Sequence, residues 1–136
     1  MSGALKLPTT ADLATETELT ARRILDDIGG LQRKQAELHA HYSQVQELDP
    51  RSPQLESISR LMDETMRLVG SLARQRTELL DGLPIIFDAQ GKLCIVADQL
   101  AKDARLVDRV KERVQKVTKT LATVEQLLIK VAALVA

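Results

Sequence analysis

A mainly α-helical fold is what this sequence predicts: an elongated up-down-up bundle, or coiled coil, of three long helices, with a short β-hairpin between the second and third. Three observations carry that reading. An apolar stripe runs through Leu100, Ala104, Val107, Val110, Val114, Val117, Leu121, Val124, Leu128, Val131 and Val135. From Val107 its steps alternate three and four, the rhythm of a helix facing other helices. Pro50 with Pro53, and Gly82 with Pro84, cut the chain into segments. Between 85 and 96 the rhythm changes to that of two short strands.

The last segment sets the problem the others must solve. No Gly or Pro interrupts 98–136, so a helix there, with Asp98 as its cap, would be about 55–60 Å long. Such a helix cannot bury its own stripe. The rest of the chain, or a second copy, must cover it.

The first helix is expected over 10–48, after a short tail at Leu5–Pro8. Thr9 and Asp12 have capping-box spacing, with Asp standing in for Glu. Asp12, Glu16 and Glu18 crowd the first turns, where the helix dipole favours negative charge. The stripe reads Ala14, Thr17, Ala21, Ile24, Ile28, Leu31, Gln35, Leu38, Tyr42, Val45, with Leu13, Leu19 and Leu25 widening it. Gly29-Gly30 sits inside; each glycine costs about 1 kcal/mol against alanine. An intact or gently kinked helix is the expectation. No strand precedes the pair and no phosphate-loop pattern surrounds it.

Asp49-Pro50-Arg51-Ser52-Pro53 ends that helix. Ser52 then caps a second one, with Pro53 at its first position, over 53–80. Its stripe is Leu55, Ile58, Met62, Thr65, Val69, Leu72, Arg76, Leu79, flanked by Leu61 and Leu68, while Arg60, Arg67 and Arg74 recur on the outer side. Gly82 and Pro84 stop it. A hairpin follows over 85–96: Ile85-Ile86-Phe87, a turn from Asp88 to Gly91, and Leu93-Cys94-Ile95. A lone hairpin is marginal in water, so it must lie on something apolar. The second helix is about 10 residues shorter than its neighbours, which leaves about 15 Å uncovered. The hairpin can fill that gap beside Leu13 and Leu19, while Leu127–Val135 meet Leu38, Tyr42, Val45, Leu55 and Ile58 at the other end.

Composition narrows function more by exclusion than by assignment. A chain of 136 residues fits one domain. Its 19 basic and 19 acidic residues cancel, so no global field pulls it toward nucleic acid or an anionic membrane. The charge is uneven, however. Asp98 to the end holds eight Lys/Arg against five Asp/Glu, a net of +3, and Met1 to Leu48 holds five against seven, a net of −2. Attraction between helices accounts for that asymmetry. A lone Cys94 builds no disulfide framework. The N-terminus lacks signal-peptide character, and no apolar run approaches the roughly 20 residues of a span. A soluble cytoplasmic protein is expected.

No catalytic, cofactor-binding or metal-binding set is expected. His39 and His41 point to nearly opposite sides of a helix, and a surface pair between Glu37 and His41 is the reading for the second. Asp26-Asp27 and Asp63-Glu64 lie in charge-rich helical settings. Cys94 faces away from Leu93 and Ile95 and reads as a small core residue, with no neighbour in sequence to activate a thiol.

Two patterns point to partners. Leu127, Leu128, Ile129, Val131, Leu134 and Val135 cover nearly the whole circumference of the last helix. This surplus predicts a non-enzymatic protein–protein interaction scaffold or adaptor that self-associates, in the simplest case as a dimer, through Leu127, Leu128, Val131, Leu134 and Val135. An unidentified protein partner fits the same surface. The alternative is an anion-facing protein that uses the basic stripe Lys102, Arg105, Arg109, Arg113, Lys116 on nucleic acid or a membrane surface. Asp108 and Glu112 dilute that stripe, and the stacking aromatics of nucleic-acid binders are missing.

Overall fold

A computed structural model describes residues 9–135. The tail at Leu5–Pro8 and the terminal Ala136 lie outside the described residues. The order of elements is α1 (Thr10–Leu48), α2 (Gln54–Leu80), β1 (Ile85–Phe87), β2 (Leu93–Ile95), α3 (Ala97–Leu100) and α4 (Ala104–Val135). The fold is all-α with one antiparallel hairpin, as the sequence predicts.

α1 opens as its sequence dictates. The Thr9 hydroxyl accepts from the Asp12 N–H at 3.1 Å and the Asp12 carboxylate accepts from the Thr9 N–H at 3.2 Å. This reciprocal pair satisfies two N–H groups that a helix start leaves without partners. The helix runs 39 residues without a break at Gly29-Gly30. Ser52 caps α2 through its hydroxyl, which accepts from the Gln54 N–H at 3.2 Å. Pro53 already has helical dihedrals, as a proline in the first turn should.

The three long helices touch pairwise, and side-chain pairs fix their directions. Gln75 donates to Thr120 at 3.0 Å, Glu78 faces Lys116, and Arg113 reaches the Asp81 carbonyl. As α2 advances its partners on α4 retreat, so the two are antiparallel. Arg23 pairs with Glu125 and Gly30 lies beside Leu128, so α1 and α4 run parallel. Two polar members of the α1 and α2 stripes also meet across the seam: the Thr65 hydroxyl donates to the Gln35 side-chain carbonyl. The core is almost purely aliphatic. Ile24, Leu31, Leu38, Ile58, Leu72, Leu79, Val110, Val124 and Val131 are fully buried, and each such side chain contributes about 1.5–3 kcal/mol by leaving water.

α2 has 27 residues against 39 in α1, a shortfall of 12, or about 18 Å. β2 and α3 pack on α1 and fill that gap. The register pairs Ile85 with Ile95, Ile86 with Cys94 and Phe87 with Leu93. Asp88 closes the turn: its carboxylate accepts from the N–H groups of Gln90 and Lys92, both at 2.8 Å. Gly91 takes φ +78° there, a conformation that costs glycine nothing.

Four local expectations fail, each for a physical reason. The last helix is not continuous from Asp98. The short α3 ends at Leu100, and α4 starts anew where the Asp103 carboxylate accepts from the N–H groups of Arg105 at 2.9 Å and Leu106 at 3.3 Å. Asp98 sits in the first turn of α3 instead of capping it. A short acidic side chain competes with the helix for backbone donors, and the break lets α3 fold onto α1 with Leu100 fully buried. Leu19 and Leu25 do not widen the α1 core face; they are 55% and 51% exposed. Cys94 is half-buried, not in the core, because it lies with Ile86 on the hairpin's other side from Ile95. Glu37 pairs with Lys34, one turn away, at 3.0 Å.

Candidate interaction surface

The apolar end of α4 is largely hidden by its own chain. Leu127 and Val131 are buried, and Leu128, Leu134 and Val135 are half-buried against the core. Of the five side chains expected to self-associate, two are thus covered by their own chain and three are partly covered, and the longer α1 contributes to that cover. Of that segment's large side chains only Ile129 stands out, at 71% exposure.

The basic stripe is likewise dispersed. Lys102 lies in the break between α3 and α4, and Arg105 and Arg109 are exposed. Arg113 donates to the Asp81 carbonyl at 3.2 Å and Lys116 lies 3.7 Å from Glu78. α2 has no basic residue in its own last turn. Arg113 therefore brings a cation to carbonyls where the helix dipole favours one. Two of the five stripe residues thus have partners on α2 and its end, Arg113 half-buried and Lys116 still exposed.

A surface that the sequence did not single out lies where α1, α2 and the hairpin meet. Glu18, Ala21, Arg22 and Leu25 share one face of α1, at helical spacing of three and four. Arg76 comes from α2, and Phe87, Gly91, Lys92 and Leu93 come from the hairpin; together they line a cleft of about 180 Å³. Phe87 is 69% exposed. The Glu18 carboxylate accepts from the Ile95 N–H at 2.6 Å and so anchors the second strand to α1. Arg22, Arg76 and Lys92 form no ion pair among the described residues. The Nε–H of Arg76 is buried without an acceptor among the described residues. Glu18 sets one negative charge against the positive ones of Arg22, Arg76 and Lys92, so the cleft is apolar at its walls and net positive at its rim.

One signal for this surface was in the sequence. Arg76 occupies a stripe position of α2 where an aliphatic would be expected, and the segment just after it turns from helix to strand. A charge on a core-facing position calls for a local opening in the packing, and the short α2 provides one. Arg22 and Lys92 carried no signal, since each looks like any solvated cation until the hairpin's docking site is known.

Among the described residues, Asp27 is the one group whose titration departs clearly from the ordinary carboxyl range. Burial pushes it up, Arg23 pulls it down, and Glu125 and Asp26 push it further up. Its Oδ2 is buried without a hydrogen-bond partner. It lies by the Arg23–Glu125 pair between α1 and α4, away from the cleft.

No helix among the described residues is long and apolar enough to cross a membrane. No protein-family model, curated protein or solved structure matches the chain.

Proposed function

We propose that the chain is a non-enzymatic interaction scaffold that self-associates, and that it does so through the cleft at the hairpin end rather than through the end of α4. The observation that carries this reading is Leu25 and Phe87, 51% and 69% exposed, beside three cations that no carboxylate of the described chain holds. A large apolar group with arginines at its edge is the composition of an interface centre. Leu25 and Phe87 lie outside the core, so truncating them leaves the fold intact. Light scattering tests the reading. The mass should rise above the 15.0 kDa of one chain as concentration increases, and fall again with salt as the rim charges are screened. Phe87→Ser with Arg76→Ser should hold the protein at one chain. A strict monomer over a wide concentration range contradicts self-association.

A further inference from the structure

The occupant of the cleft can be sought on the chain itself. At the far end of α1, Leu48 is 87% exposed, the most exposed large apolar side chain among the described residues. Exposed Glu47 and Asp49 flank it. The last turn of α1 contains no basic residue, so the partial negative charge of its carbonyls is not offset there. Arg51 is the one cation within 47–51, and its backbone N–H donates to the Asp49 carboxylate at 3.1 Å. This tip is an aliphatic side chain held in a negative frame.

The cleft is its complement in both respects. Leu25, Phe87 and Leu93 offer apolar walls, and Arg22, Arg76 and Lys92 set a positive rim. An aliphatic side chain between two carboxylates matches those walls and that rim in chemical character. Resting on the self-association proposed above, we infer that the Glu47-Leu48-Asp49 tip of one copy docks into the hairpin-end cleft of the next.

The geometry makes this contact intermolecular. Leu25 and Leu48 lie on one unbroken helix, 23 residues or about 35 Å apart, so a chain cannot fill its own cleft. The contact joins two different patches, so copies either add head to tail or close on themselves, the smallest closed form being an antiparallel pair with each tip in the other's cleft.

Mixing two variants tests this. Leu48→Ser removes the tip and keeps the cleft; Phe87→Ser with Arg22→Glu removes the cleft and keeps the tip. All three changes are at exposed positions, and unchanged far-ultraviolet circular dichroism and thermal midpoint verify the fold. Each variant alone should associate about tenfold more weakly than the parent or less. An equimolar mixture should form a complex of one copy of each and nothing larger, held by one tip–cleft contact, while neither variant alone does so. If Leu48→Ser associates as strongly as the parent while the cleft variant does not, the inference is overturned and the cleft stands as the self-association surface. If the cleft variant associates as strongly as the parent, the cleft reading fails and this inference with it.

Discussion

At one end of the bundle, α2 and α4 are joined by a hairpin and a four-residue helix that pack on α1; at the other, α1 and α2 meet in a tight turn. The hairpin end replaces about three turns of missing helix with short elements, and those elements cannot cover all they meet. Leu25 and Phe87 stay in solvent there and cations gather at the rim. The turn end has no filler: two helices stop together, and Leu48 stands out between carboxylates. The same helix thus carries an apolar surface of opposite charge at each end, because each end solves the closing of the bundle differently. The middle, where three helices overlap, leaves no such surplus on its inner face.

Four tests, using five substitutions, sharpen that contrast, in order of falling effect. Leu121→Ala, in the aliphatic middle, should lower the unfolding free energy by about 2–5 kcal/mol in urea denaturation. Leu48→Ala should change it by less than about 0.5 kcal/mol. Equal effects would mean the tip is part of the core.

Glu18→Ala should cost about 1.5–3 kcal/mol locally, the value of a hydrogen bond to a charged group. Hydrogen exchange at the Ile95 amide should speed up while amides of the middle stay protected. Unchanged protection at Ile95 would show that packing alone holds the hairpin.

Gly30→Ala should stabilise by about 1 kcal/mol. The added methyl meets Leu128 Cδ1 at 3.7 Å, an ordinary contact. A loss of stability would mean that α1 needs the glycine to lie close to α4.

Asp27→Asn should stabilise at neutral pH, by the smallest margin of the four. The carboxyl titrates above its ordinary range in the fold, so the native state holds that proton more tightly than the unfolded chain. Its penalty is fully present above the folded pKa and vanishes below the unfolded pKa of about 3.9. The advantage of Asn over Asp should therefore shrink as pH falls through that window. An advantage constant with pH would trace to packing instead.

Much of the fold was legible because helical seams and breakers act locally. The Thr9–Asp12 box, the Pro50/Pro53 boundary, the Asp88–Gly91 turn and the aliphatic stripes all follow from residue type and spacing. The break at Asp103 was not legible, since a lone acidic residue reads equally as a cap or as a solvated face. It takes the tertiary demand to bury Leu100 to decide between them. How much of the surplus at the end of α4 its own chain covers was not legible, for a related reason. A residue's count around one helix says nothing of how many neighbours reach that level, and α1 extends far enough to bury Leu127 and Val131. The cleft is a property of three segments distant in sequence, and only the docking of the hairpin on α1 brings Arg22, Arg76 and Lys92 together.

On the docking proposed above, the two unlike ends meet in different copies. A spin label on Cys94, next to cleft-lining Leu93, in one copy, mixed with an isotope-labelled copy carrying Cys94→Ser, tests this without relying on a change of mass. Paramagnetic broadening is expected for amides at Glu47, Leu48 and Asp49 of the isotope-labelled copy. Broadening confined to the hairpin, or to the end of α4 near Leu134, would contradict it.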